Sequence, residues 1–116
     1  MIVCAIDDLM FSIKISTAAK SLQSEVYFER SADKVLDTIR EKRPTLVIFD
    51  LNSARLRPLD ALAQLKADPQ LASVRTLGYV AHADSATIDA ARAAGIDQVM
   101  ARSAFVNQLG SILTSG

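Results

Sequence analysis

Five short apolar runs alternate with segments of helical spacing, and this alternation restricts the fold more than any other feature. The runs occupy residues 2–6, 25–28, 45–49, 75–81 and 98–101. Apolar residues recur at three- and four-residue steps in 11–22, in 32–41 with Ser31 as N-cap, in a segment beginning near Pro58, in 85–94, and after Ser103. Strands that alternate with helices of this length predict βαβ units and a parallel sheet.

The character of the runs predicts their place in the sheet. The central runs are continuously apolar, as expected when helices cover both faces of a sheet. The run at 25–28 is weaker and predicts an edge strand. A chain of 116 residues suits one domain, so we expect residues 1–116 to form a single α/β unit.

Charge and cysteine content indicate which partners and which cellular compartment to expect. Thirteen basic and thirteen acidic residues cancel, so no general attraction to nucleic acid or to an anionic membrane is expected. The one cysteine, Cys4, lies in an apolar run and is interpreted as a buried, inert thiol. No signal peptide and no long apolar span is evident, and we therefore expect a cytoplasmic protein.

Aspartates follow two of the predicted strands. Ligands of such sheets bind beyond the carboxyl ends of the strands, where Asp7, Asp8 and Asp50 are placed. If the two strands are neighbours, three carboxylates converge and raise one another's pKa unless a cation compensates. Mg²⁺ prefers such hard oxygen ligands. The alternative is that the aspartates only cap the following helices; for the three together we favour a shared acidic pocket.

The segments IVCAIDD, TLVIFDLN and AAGIDQVMARSA resemble the receiver domain of two-component response regulators, and the similarity runs along essentially the whole chain. The resemblance implies a flavodoxin-like (βα)5 fold with strand order 2-1-3-4-5 and helices on both faces. It also implies that Asp7 and Asp8 form the acidic pair and that Asp50 is the phosphoacceptor. The implied Mg²⁺ site comprises Asp7, Asp8, Asp50 and Asn52, with Asp8, Asp50 and the main-chain carbonyl of Asn52 as the direct ligands.

Three positions around the predicted phosphate site depart from the family pattern, as do Ala54 and Pro58 in the following loop, where the family usually has a Pro and a Gly. Val80 stands where the family has a Ser or Thr that binds the phosphoryl group, and Val99 stands at the position of the switch aromatic. Arg102 replaces a lysine, and its planar guanidinium differs from a lysine point charge. The elements that usually read the phosphate are therefore missing. We further hypothesise that Arg102 or Arg55 reaches into the pocket and neutralises the aspartates.

Other residues beside the predicted site receive structural interpretations. His82, which follows the fourth strand, is interpreted as a solvated loop residue. Tyr79 is expected to point to the face opposite Val80 and to pack under a helix. The alanines of segment 85–94 fit either a tightly packed helix or a dimer or partner contact.

The leading functional hypothesis is a single-domain response regulator in a phosphorelay, regulated through protein–protein contacts and not a turnover enzyme. The implied partners are a sensor histidine kinase or phosphotransfer protein, and a downstream protein, or a second copy, on the face of helix 4, strand 5 and helix 5. One alternative is a docking module that is not phosphorylated. A second alternative is a small Mg²⁺-dependent phosphotransfer hydrolase, but such an enzyme needs a general acid where this chain has Asn52. A third is a nucleotide-binding module, but such a module needs a glycine-rich loop after the first strand, which this chain does not have.

Overall fold

The apolar runs form the strands of one sheet in the computed structural model, which describes residues 1–81 and 84–115. The strands are β1 (Ile2–Ala5), β2 (Val26–Phe28), β3 (Leu46–Asp50), β4 (Arg75–Val80) and β5 (Gln98–Ala101). All neighbouring strands pair in parallel, in the order β2-β1-β3-β4-β5. The predicted fold class and strand order are confirmed, and the weak run at 25–28 is an edge strand as predicted.

Helices cover both faces of the sheet. They are α1 (Leu9–Ser21), α2 (Val35–Lys42), α3 (Pro58–Ala67), α4 (Ser85–Ala93), α5 (Arg102–Asn107) and α6 (Leu109–Ser115). Buried residues of α1, α5 and α6 form a core cluster on one face, and those of α2, α3 and α4 form a second cluster on the other. No helix in the described part of the chain is long and apolar enough to cross a membrane.

Alternation along the strands divides their side chains between the two clusters. In β3, Ile48 packs with α1 and α5, whereas Phe49 packs with α2 and α3. In β4, Tyr79 and Val80 are likewise separated. Cys4 is fully buried, and burial raises the pKa of its thiol to about 12, so its interpretation as an inert thiol is supported.

The second helical segment begins differently from its prediction. A 3-10 turn, Ala32–Lys34, precedes α2, and the Ser31 side chain makes no capping hydrogen bond. Instead, the buried Glu29 carboxylate accepts hydrogen bonds from the Ser31 amide at 3.2 Å and the Thr38 hydroxyl at 2.6 Å. Ser31 thus stands at the predicted N-cap position, but it precedes a 3-10 turn and its side chain takes no part in capping.

The last helical segment also differs from its prediction. It begins at Arg102, one residue before Ser103, and it is divided into two helices at Gln108. Arg102 therefore occupies the first turn of α5, directly after β5, and its position at the carboxyl edge of the sheet is set by both elements. This placement brings its side chain to the acidic residues described next.

Candidate functional site

The three predicted aspartates lie at one edge of the sheet. Asp7 and Asp8 follow β1, and Asp50 ends β3, the strand paired with β1. Burial raises the pKa of Asp50, and the negative charges of Asp7 and Asp8 raise it further, while the Asn52 amide and Arg102 act in the opposite direction. The aspartates are thus close enough to affect one another, as the sequence predicted.

Asp8 makes two different contacts with its two carboxylate oxygens. Oδ1 accepts a hydrogen bond from the Phe11 amide at 3.0 Å and so caps the N-terminus of α1. Oδ2 accepts one from the Arg102 guanidinium at 3.1 Å. The Phe11 hydrogen bond is the main reason why the pKa of Asp8 is lowered, and Arg102 adds to it against a smaller effect of burial. Asp8 therefore caps α1, as one of the two alternatives predicted, and its second oxygen faces Arg102, whereas a pocket shared by the three aspartates stays a prediction.

Arg102 covers the acidic edge from the side of α5. Its guanidinium carbon lies 4.0 Å from the centroid of the Phe11 ring, within the range of a cation–π contact. Its N–H group donates to Asp8 at the same time. Arg55 is exposed and forms no ion pair within the described part of the chain. Of the two arginines that the sequence left open, Arg102 is the one that reaches the aspartates.

Asp7 holds the loop that follows β3. Its Oδ1 accepts a hydrogen bond from the Ser53 hydroxyl at 3.1 Å, and the Ser53 oxygen accepts one from the Leu56 amide at 3.2 Å. Both Ser53 and Leu56 are buried. The first acid of the pair therefore helps to position the loop beyond Asp50, a role that the sequence did not indicate.

Asn52 links the ends of β3 and β4. Its amide donates to Asp50 Oδ1 at 3.0 Å, and its side-chain oxygen accepts from the Ala81 amide at 2.6 Å. Asn52 is therefore held beside Asp50 by contacts at both its backbone and its side chain. His82, the next residue along the chain from Ala81, lies outside the described residues.

The positions of the missing family side chains are occupied by apolar residues that pack into the core. Val80 is buried, and Val99 is half-buried against the same cluster, on the face of α2, α3 and α4. Neither side chain has a donor or acceptor. Neither could bind a phosphoryl group at Asp50 by a hydrogen bond.

Tyr79 brings a polar atom close to this edge. It pairs with Asp50 in the β3–β4 register, so the two side chains leave the sheet on the same face. Its ring contacts those of Phe11 and Phe105, with centroids 5.0 Å away in each case, which confirms the predicted packing under a helix. Its hydroxyl is buried without a hydrogen-bond partner among the described residues. Burial and the nearby Asp50 raise its pKa.

Replacing Tyr79 by phenylalanine is expected to raise the free energy of unfolding by about 1 kcal/mol. A buried, unsatisfied hydroxyl costs about 1–3 kcal/mol, and the variant removes it while keeping the ring contacts. Urea unfolding followed by circular dichroism measures the change. The matched control is Tyr27→Phe on the edge strand, where the side chain is exposed and little change is expected. A loss of stability in Tyr79→Phe would show that its hydroxyl has a partner in solution.

The donor chemistry of the edge fits a divalent cation. In the described part of the chain, no three His, Cys, Asp or Glu side chains are already arranged as a metal-binding group. Mg²⁺, however, usually takes only one or two carboxylates and keeps several waters. Burial is the largest cause of the raised pKa of Asp50, and the charges of Asp7 and Asp8 add to it, so negative charge is concentrated at this edge. Asp8 and Asp50 are therefore suitable ligands, on the condition that Asp8 Oδ2 shares or loses its contact with Arg102.

Comparison with solved structures identifies the fold. The phosphorylated cyanobacterial phytochrome response regulator RcpA superposes with a TM-score of 0.82 at 21% identity, covering 98% of this chain and 88% of that one. The Mn²⁺-bound response regulator Rcp1 gives 0.80 at 14%, covering 96% and 89%. A response regulator from Hahella chejuensis gives 0.86 at 12%, covering 97% and 91%.

Comparison of the sequence alone with known proteins gives no match. No protein-family model matches the chain, and no curated protein matches it. At identities of 12–21% the structural likeness concerns the course of the backbone, not the chemistry of the side chains. The chain has the fold of response regulator receiver domains.

Proposed function

We propose that the chain is a receiver domain in a phosphorelay, which accepts a phosphoryl group on Asp50 and acts through protein–protein contacts and not as a turnover enzyme. The observation that carries the proposal is the position of Asp50. It ends a central strand of a receiver fold, half-buried, with Asp7 and Asp8 close enough to raise its pKa. Carboxylates so placed can act as nucleophiles toward a phosphoryl group.

The transfer itself needs few protein groups. An oxygen of Asp50 attacks the phosphorus of a phosphohistidine on a sensor kinase or phosphotransfer protein, the P–N bond breaks, and the imidazole leaves. Mg²⁺ bound by Asp8, Asp50 and the Asn52 carbonyl would supply positive charge for the phosphoryl oxygens. The chain's own part is to hold the acceptor in place: Asn52 hydrogen-bonds Asp50, and Asp7 fixes the following loop through Ser53.

The surface of α4, β5 and α5 is the proposed site of partner contact. The alanine-rich α4 turns Ala86, Ala90 and Ala93 to the outside, and only Ala91 is fully buried. Packing against the sheet therefore explains few of these alanines. Small exposed side chains allow another backbone to approach closely, which fits a downstream protein or a second copy of the chain.

Incubation with acetyl phosphate and Mg²⁺ tests the acceptor. The wild-type protein is expected to gain the mass of one phosphoryl group, removable by hydroxylamine because the product is an acyl phosphate. Asp50→Asn should gain none, since the amide is not a nucleophile toward phosphorus. The matched control is Asp60→Asn in the first turn of α3, an exposed aspartate that should leave labelling unchanged. Equal labelling of wild type and Asp50→Asn would refute the assignment.

A second candidate function is a docking module that is never phosphorylated. Two observations favour it: Arg102 already pairs with Asp8, and Val80 has no hydroxyl. In this case the folded wild-type protein stays unlabelled by acetyl phosphate and gives no NMR response to Mg²⁺ with beryllofluoride. The labelling experiment therefore separates the two candidates.

A further inference from the structure

Arg102 is held over the acidic edge by two independent contacts. One N–H group donates to Asp8 Oδ2 at 3.1 Å, and the guanidinium carbon lies 4.0 Å above the Phe11 ring. Phe11 is itself buried against Tyr79 and Phe105, so the surface on which the guanidinium rests is rigidly packed. A planar guanidinium can stack on an aromatic ring and donate through its fork of N–H groups at the same time, whereas an ammonium group has no plane that can stack. The fold thus places a cation beside the aspartates without any ion from solution.

The contact is made with the carboxylate that a divalent cation needs. Asp8 Oδ1 already accepts the helix-capping hydrogen bond from Phe11, which leaves Oδ2 as the oxygen better placed to bind a cation. Oδ2 is the atom that Arg102 contacts. The Asp8 and Arg102 side chains are 38% and 37% exposed, so water and ions can reach the pair. Such pairs are weak enough to be exchanged for another partner.

We propose that Arg102 competes with the divalent cation for Asp8, so that metal binding requires the guanidinium to leave Oδ2. This inference rests on the proposed function, because it concerns the Mg²⁺ site beside Asp50. It assigns to Arg102 the control of metal affinity and therefore of readiness for phosphorylation. Because Val80 and Val99 cannot report the state of the pocket, Arg102 also provides the physical link between the aspartates and the start of α5.

The release has a consequence at the surface. Arg102, Phe11, Met10 and Val106 line one shallow groove between α1 and α5. When the guanidinium leaves Asp8, the position of its positive charge along this groove changes. Metal binding at Asp8 would in this way change the charge exposed at the groove between α1 and α5.

Metal titration of wild type and Arg102→Gln tests the competition. Mg²⁺ binding is followed by the amide NMR shifts of Asp8 and Asp50, and the Nε–Hε signal of Arg102 reports its release in the wild type. Arg102→Gln is expected to bind Mg²⁺ about fivefold more tightly, which corresponds to about 1 kcal/mol. The matched control is Arg55→Gln, which removes the same charge from an exposed site and should change affinity less than about twofold.

The outcomes separate this inference from the proposed function. Tighter binding in Arg102→Gln alone, with a wild-type Arg102 signal that moves on titration, supports the competition. Equal affinity in wild type and Arg102→Gln overturns it and leaves the metal site intact. An equal gain in Arg55→Gln also overturns it, because net charge would be the cause. If no variant binds Mg²⁺ although all are folded, both the competition and the Mg²⁺-dependent function are refuted.

A further variant, Arg102→Lys, keeps the charge without the planar stack. Its Mg²⁺ affinity should fall between those of wild type and Arg102→Gln, and tighter binding than in Arg102→Gln would contradict the proposal.

Discussion

Replacing Phe105 by alanine is expected to lower the free energy of unfolding by about 3–5 kcal/mol. Phe105 lies in α5 and is fully buried. Its ring stacks on Tyr79 with centroids 5.0 Å apart and an interplanar angle of 28°, and it contacts Phe11 at 5.8 Å. The substitution removes the ring from the centre of this cluster and leaves a cavity. Because small domains are stable by only about 5–15 kcal/mol, this is a large share of the total.

The measurement is urea unfolding, with Phe28→Ala as the matched control. Phe28 is half-buried at the end of the edge strand β2. The guanidinium carbon of Arg30 lies 5.5 Å from the centroid of its ring. The same side-chain atoms are deleted in both variants, but they are much less buried at Phe28 than at Phe105. A loss of less than half that of Phe105→Ala is expected. Equal losses would contradict the view that the cluster under α1 and α5 stabilises the sheet more than its edge does.

The second large effect is expected at Gly78, in the middle of β4. A Cβ added there would lie 2.6 Å from Leu51 Cδ1, 2.7 Å from Leu51 Cγ and 2.8 Å from Ile96 Cδ1. These distances are too short for carbon atoms, so Leu51 and Ile96 must move. Both are buried in the cluster on the face of α2, α3 and α4. Overpacking of this kind costs about 1–3 kcal/mol, which we expect for Gly78→Ala.

Gly110→Ala provides the opposite control. Gly110 lies in α6, and a Cβ added there would meet only Leu22 Cδ1, at 4.0 Å. Alanine in a helix is favoured over glycine by about 0.5–1 kcal/mol, so this variant should be more stable than wild type. The same chemical change is thus predicted to have opposite signs at the two positions. A stabilised Gly78→Ala would show that Leu51 and Ile96 adjust without strain.

The effect at Gly78 also reaches the candidate site. Leu51 follows Asp50 directly, and its amide donates to the Tyr79 carbonyl at 3.0 Å. Glycine in β4 makes room for the Leu51 side chain, and this packing holds the chain where it leaves β3. Displacement of Leu51 would therefore move the backbone between Asp50 and Asn52. If Asp50 is the phosphoacceptor, as proposed, Gly78→Ala should for this reason also reduce its labelling by acetyl phosphate.

The sequence alone determined the layers and the position of the acidic edge. Continuous apolar runs and helical spacing report burial directly, so the parallel sheet, its two covering layers and the edge position of residues 25–28 could all be predicted. Asp7, Asp8 and Asp50 could be placed at one edge because the carboxyl ends of parallel strands meet there. These features depend on patterns within a few residues of one another. The strand order itself came from the resemblance to receiver domains.

The partners of the polar side chains were decided only by tertiary structure. Asp8 and Arg102 are 94 residues apart in the chain, and nothing local to either residue selects Arg102 over Arg55. Among the described residues, the hydroxyl of Tyr79 is left without a partner by the β3–β4 register and by the rings of α1 and α5 packed around it. Such contacts depend on which elements become neighbours and on side-chain rotamers, and these are set by the packing of the whole core. The acidic residues and two candidate arginines were thus evident from the sequence, whereas which of the two arginines faces Asp8 was decided only by the folded structure.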